Sequence, residues 1–217
     1  MKWIEKIKKV FNQKVLLCDL DDTLIVTKSG KTFPENEEDW KFKPGINYAI
    51  RSYNPKYIFI ISNQAGIAKG FVDESKFIAK MNDIMNEMRK WGDFIVSGTY
   101  CKSDNPNDEF RKPNVGMVDF FRHCYVMGYD FDNRHALMIG DASGREGDFS
   151  DSDLMCARNA GIRYCDVDDF IRAWDPCPAC KDQCVKSEWL RNFEGILPVN
   201  LPCDVPYKER LKRVIIK

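Results

Sequence analysis

In Val15-Leu16-Leu17-Cys18-Asp19-Leu20-Asp21-Asp22-Thr23, a short apolar run breaks directly into aspartates at i and i+2. An apolar run of this length bounded by charge reads as a fully buried strand that delivers two carboxylates to a turn. Similar runs recur along the chain, and strands are expected at 15–19, 57–62, 94–97, 136–140 and 162–165. Helical spacing lies between them, at 46–53, 73–91, 115–127 and 153–160. The helix from Asp73 is the clearest, with Phe77, Ile78, Met81, Ile84, Met85 and Met88 at three- and four-residue steps. Asp73 and Glu74 at its start and Trp91-Gly92 at its end fit helix-boundary chemistry. Apolar strands alternating with helices predict an α/β fold, a Rossmann-like parallel sheet with helices on both faces.

Sheets of this kind carry their chemistry just past the carboxyl ends of the strands, where strand order reverses. Asp19, Asp21 and Thr23 follow the first strand, Ser62-Asn63-Gln64 the second and Gly140-Asp141 the fourth, while Lys112-Pro113 precedes the helix at 115–127. Clustered carboxylates raise each other's pKa unless a cation neutralises them, and hard oxygen ligands beside a phosphate suit Mg²⁺. A carboxylate in such a place can be a nucleophile that forms an aspartyl-phosphate, with its neighbour as acid and base. Ser62 and Lys112 would bind the phosphate oxygens. A plain turn with a strand-end cap explains one Asp-x-Asp. It does not explain four polar loops on one predicted edge.

Composition narrows the class. The chain has 217 residues, 44% hydrophobic and 30% charged, which fits a globular protein and excludes a disordered or fibrous one. Lys+Arg and Asp+Glu are both 33, so a nucleic-acid partner would be held by a local patch rather than by overall charge. No apolar run approaches the ~20 residues of a membrane span, and the N-terminal MKWIEKIKKVF interleaves charge with its apolar residues, unlike a signal peptide. An intracellular location is expected, cytoplasmic by default and nuclear in a eukaryote. Trp3, Ile7, Val10 and Phe11 oppose Lys2, Lys6 and Lys9, an amphipathic pattern expected to dock on the core rather than on a membrane.

The run from Val15 to Leu24 resembles motif one, hhhhDxDxT, of the haloacid dehalogenase (HAD) superfamily phosphatases. Ile61-Ser62-Asn63-Gln64-Ala65-Gly66 is similar to motif two, Lys112-Pro113 to motif three, and Gly140-Asp141 with a later acidic residue to motif four. The resemblance implies Asp19 as nucleophile, Asp21 as acid/base, and Ser62 and Lys112 as phosphate holders. Asp19, Asp141 and the main-chain carbonyl of Asp21 would bind Mg²⁺. Asp153 and then Asp148 rank ahead of Glu146 and Asp151 for the second acidic role.

Two stretches resemble the polynucleotide kinase 3′-phosphatase family within that superfamily. One is Thr27-Lys28-Ser29-Gly30-Lys31-Thr32-Phe33-Pro34 with Asp39-Trp40. The other is Gly140-Asp141-Ala142-Ser143-Gly144-Arg145 with the acidic run from Asp148 to Asp153. The implied activity is Mg²⁺-dependent removal of a 3′-phosphate from DNA or RNA ends, as in DNA repair. Because the kinase P-loop pattern G-x-x-x-x-G-K-[ST] is missing, a separate kinase or ligase is the expected partner. The runner-up is a small-molecule phosphatase of the histidinol-phosphate or heptose-bisphosphate type, whose second motif is also close. Those enzymes carry a Cys/His zinc loop before motif three, where this chain has only Cys101. From another class comes an idle end-binding module, which would need no nucleophile.

No cap insertion is visible after Lys69, and an open site admits a polymer end, best a single-stranded one. Lys28, Lys31, Lys69 and Arg145, with Thr23 and Asn63, are the expected substrate contacts. Phe33 and Phe71 are available for base stacking, while Trp40 is expected to pack beneath the loop. The chain divides into a phosphatase domain at 1–173 and a Cys-rich extension at 174–217. In the extension, Cys177, Cys180, Cys184 and Cys203 could ligate one structural Zn²⁺, or could be reduced thiols. Cys18, Cys101, Cys124, Cys156 and Cys165 read as buried thiols, and His123 and His135 as structural residues.

Overall fold

The computed structural model describes residues 14–124 and 133–174. Its central strand, β1 (Val15–Cys18), is buried throughout. It pairs in parallel with β4 (Tyr57–Asn63) on one side and β6 (Ala136–Gly140) on the other, Val15 standing opposite both Tyr57 and Ala136. β5 (Ile95–Cys101) lies beyond β4 and β7 (Arg163–Asp166) beyond β6, giving the order β5-β4-β1-β6-β7. The expected parallel α/β sheet is therefore present.

Side chains alternate across the sheet, so each strand serves two cores. Leu16, Cys18, Ile58, Ile60, Leu137 and Ile139 pack with α1 (Ile46–Tyr53), α3 (Glu74–Arg89) and α6 (Val167–Trp174). Val15, Leu17, Phe59, Ile61 and Met138 pack with α4 (Gly116–Cys124) and α5 (Ser152–Asn159). Phe59 stacks on Phe121 at 4.2 Å between ring centres. Cover on both faces is the reason the central strands β1 and β6 are apolar without interruption.

Helix α3 starts where its chemistry says it should. The Asp73 carboxylate accepts from the Lys76 N–H at 3.0 Å, a cap worth about 1 kcal/mol. Phe77, Met81, Ile84 and Met88 are buried, whereas Ile78 falls off that stripe and is exposed. Helix α6 has no counterpart among the expected elements. Its Val167, Phe170 and Trp174 enter the core, and Trp174 packs edge-on against Tyr53 at 5.3 Å. Trp174, assigned above to the extension, thus belongs to the folded domain.

A small antiparallel pair, β2 (Ile25–Val26) and β3 (Lys41–Phe42), also escaped sequence reading, because two residues are too few to show a period. It frames a loop at 27–40. Asp39 organises this loop by accepting from the Ser29 N–H (2.8 Å), the Ser29 hydroxyl (2.7 Å) and the Glu35 N–H (2.9 Å). Trp40 packs edge-on against Phe42 at 5.5 Å, at the border of the core, as expected for it. Among the described residues only the four-residue α2 (Ala65–Ala68) stands between β4 and α3, with no inserted cap.

Cys18, Cys101, Cys156 and Cys165 are buried free thiols. No helix among the described residues is long and apolar enough to cross a membrane. The N-terminal amphipathic stretch, the possible zinc ligands Cys177, Cys180, Cys184 and Cys203, and the rest of the extension lie outside the described residues.

Candidate active site

The chain leaves β1 toward β4 and β5 on one side and later fills β6 and β7 on the other, so the crevice of reversed strand order opens at the end of β1. Asp19 sits there, its N–H bonded to Ile139 O at 3.0 Å. Asp22, three residues later, takes a left-handed backbone at φ 55°, a conformation that Asp and Asn tolerate better than most residues. Lys43 donates to Asp22 O at 2.9 Å and pins this turn.

Lys112 reaches Asp19 from the loop before α4. It is 3% exposed, and its ammonium bonds to Asp19, stands 2.8 Å from Asp153 Oδ1 and donates to Ile61 O at 2.9 Å. Burial alone would lower its pKa, but Asp153 and Asp19 outweigh burial and raise it, so the ammonium stays charged. Asn63 grips its main chain, accepting from Lys112 N–H and donating to Lys112 C=O, both at 2.9 Å.

Asp141 follows β6, and Asp153 stands in the first turn of α5, where a carboxylate suits the helix dipole. Oxygens of Asp19, Asp141 and Asp153 lie within 4.8 Å of one another. Burial pushes Asp19 well above the usual carboxylate range, opposed by Lys112 and reinforced by Asp153 and Asp141. Burial, then Asp153, lifts Asp141 to about 6, against the hydrogen bond it accepts from the Thr23 hydroxyl at 3.1 Å. Three hard oxygen donors that repel one another are what a small divalent cation requires, so the donor set fits Mg²⁺. Asp148 is elsewhere, with Oδ2 accepting from Ser143 N–H (3.1 Å) and Arg145 N–H (2.9 Å) as a brace of the loop.

The Asp21 carboxylate is turned away from that cluster. Gln64 Nε2 donates to Asp21 Oδ2 at 2.7 Å and to the buried Ser62 hydroxyl at 2.8 Å, and Lys80 Nζ stands 3.7 Å from Asp21 Oδ1. Gln64 and Lys80 were assigned no role from sequence. Gln64 sits in the polar run that breaks β4, which was a usable signal. Lys80 sits three residues after Phe77 on a helix read only for its apolar stripe.

The outlying candidates are dispersed. Lys28 and Lys31 are exposed on the 27–40 loop, where Lys31 pairs with Glu35, and Lys69 is exposed at the end of α2. Arg145 is engaged by Asp169 and, at 3.4 Å, by Asp166. Phe33 and Phe71 are about four-fifths exposed, at 80% and 83%.

Residues 14–171 match the family described as polynucleotide kinase 3 phosphatase. The bifunctional polynucleotide phosphatase/kinase of Schizosaccharomyces pombe is 32% identical over 198 residues, which cover 90% of this chain and 43% of that protein, so the chain spans less than half the length of that relative. A D-glycero-beta-D-manno-heptose-1,7-bisphosphate 7-phosphatase of Rhodopseudomonas palustris is 29% identical over 135 residues, 58% of this chain and 68% of its own. In fold, the chain resembles D,D-heptose 1,7-bisphosphate phosphatase from B. bronchiseptica, solved with magnesium and phosphate, with TM-score 0.53 and 23% identity over 70% of this chain and 79% of that one. Because that family match spans most of the chain, the chain belongs to the polynucleotide kinase 3 phosphatase family.

Proposed function

We propose that the protein removes the 3′-phosphate from nucleic-acid ends through a phosphorylated Asp19. The observation that carries the chemistry is the buried Lys112 ammonium shared between Asp19 and Asp153. It orients one Asp19 oxygen and supplies positive charge where phosphate oxygens would lie. The substrate class rests on the family match over residues 14–171.

The steps balance as follows. An Asp19 carboxylate oxygen bonds to phosphorus as the bond from phosphorus to the 3′ oxygen breaks, and the protonated Asp21 carboxyl gives its proton to that departing alkoxide. Asp21, now a carboxylate, takes a proton from water. The water oxygen bonds to phosphorus, and the bond to Asp19 breaks to release inorganic phosphate. Gln64 holds Asp21 and Ser62 in mutual register throughout. A divalent ion held by Asp19, Asp141, Asp153 and the Asp21 carbonyl would screen the charge gathered on the transferring phosphoryl group.

The uncapped mouth supports access by a polymer end, and the exposed Phe33 and Phe71 support contact with unpaired bases. On that reading, single-stranded 3′-phosphates are turned over faster than blunt duplex ends. The heptose-bisphosphate reading is favoured by relatives such as that of Rhodopseudomonas palustris. The deciding assay compares a 3′-phosphorylated oligonucleotide, a 5′-phosphorylated control, histidinol phosphate and heptose bisphosphate, each with and without Mg²⁺. Preference for the 3′-phosphorylated strand is expected, and Asp19→Asn should abolish it while oligonucleotide binding persists. Preferred turnover of the sugar phosphate, or hydrolysis by Asp19→Asn, would refute the proposal.

A further inference from the structure

Lys80 projects from α3 with Nζ 5.5 Å from the Phe77 ring centre. Only 11% of its side chain is exposed, so its ammonium is held in place rather than sweeping the surface. That place is beside Asp21, whose side chain is half-exposed at the site. At 3.7 Å from Oδ1 the ammonium is drawn to the carboxylate by charge but lies beyond normal hydrogen-bond length, so among the described residues it keeps donors for a second anion. Lys112 differs, since its donors are taken by Asp19, Asp153 and Ile61 O.

In an in-line displacement the leaving oxygen departs opposite the attacking Asp19 oxygen. Asp21, which protonates that oxygen on the reading above, marks the leaving-group side, and Lys80 stands next to it. We infer that Lys80 binds the first phosphodiester on the 5′ side of the scissile 3′-phosphate, making the protein prefer a 3′-phosphate carried by a chain over one on a lone nucleoside. This rests on the phosphatase reading given under Proposed function. A nucleoside monophosphate offers no second anion there, so the lysine would contribute to binding only when a strand is attached.

The test compares kcat/KM for a thymidine dinucleotide bearing a 3′-phosphate with kcat/KM for thymidine 3′-monophosphate. Lys80→Ala should lower the dinucleotide-to-mononucleotide ratio about tenfold, mainly through KM, the scale of one charge-assisted hydrogen bond. Lys80→Arg should restore most of it. A neutral methylphosphonate at the internal linkage should lower the wild-type ratio equally and remove any further effect of Lys80→Ala. An unchanged ratio in Lys80→Ala, with both substrates losing activity together, would assign the lysine to Asp21 alone and overturn the inference. So would a wild-type ratio indifferent to the methylphosphonate. Failure of the wild type on both 3′-phosphates would instead refute the underlying phosphatase reading.

Discussion

A β-carbon on Gly140 would stand 2.1 Å from Oδ2 of Asp153, closer than any non-bonded carbon and oxygen can approach. The end of β6 therefore has to be bare of side chain for the first turn of α5 to bring Asp153 against Asp19 and Lys112. Gly140→Ala is expected to displace Asp153, with overpacking costing about 1–3 kcal/mol and Mg²⁺ affinity falling with it. Gly70→Ala is the control: its φ is +71° and nothing lies within 4 Å, so it should strain the backbone without weakening metal binding. Thermal melts and Mg²⁺ titration calorimetry separate the two. Equal Mg²⁺ affinities in the two variants would contradict the close-approach argument.

Asn63 holds both the N–H and the C=O of Lys112, with two bonds of 2.9 Å. Asn63→Ala should remove about 2 kcal/mol of stability, at roughly 1 kcal/mol per net hydrogen bond. Loss of lysine registration should lower kcat about 100-fold, because small misplacements of a catalytic group are that costly. Steady-state kinetics test this, and a variant that changes KM while keeping kcat would point to direct substrate contact instead.

Asp141 provides the pH prediction. Its folded pKa is raised to about 6, from an ordinary 3.8. The folded protein therefore keeps a proton that the unfolded chain releases, so without a cation this group's contribution to stability declines as pH rises from 3.8 to about 6 and is level above that. Mg²⁺ must displace the same proton. Its stabilising effect should be small at pH 5 and full by pH 7.5, measured as the rise in Tm on adding Mg²⁺. A rise as large at pH 5 would show that Asp141 does not titrate as described.

Asp39 has the opposite sign. The hydrogen bonds from Glu35 and Ser29 lower it to about 2. Its contribution is complete above the unfolded value of 3.8 and is lost as pH falls through about 2. Asp39→Ala should speed hydrogen exchange across residues 27–40 at neutral pH while leaving β1 and β4 protected. In the wild type, loop protection should persist at pH 4. Exchange that opens the sheet and the loop together would mean that the carboxylate supports more than the loop.

Legibility from sequence followed the length scale of the forces. Strands β1, β4 and β6 and helices α1 and α3 could be read because burial on a sheet or along a stripe imprints an apolar run or a period on four or more residues. The pair β2 and β3 is too short to carry a period. Helix α6 was hidden because its aspartates mask Val167, Phe170 and Trp174, whose burial depends on Tyr53 and the sheet beneath.

The amino-acid order alone set which residue types would line one edge: Asp19, Ser62, Lys112 and Asp141 each follow an apolar run or precede a helix, and parallel strands must end on the same side. Partnership was another matter. That Asp153, ranked first from the sequence, joins Asp19 and Asp141, that Asn63 holds Lys112, and that Lys80 comes to rest beside Asp21 all depend on side chains distant in sequence meeting within 5 Å. Only the packing of α3, α5 and the loop before α4 against the sheet brings those groups within range, and hydrogen bonds and ion pairs act only over such distances.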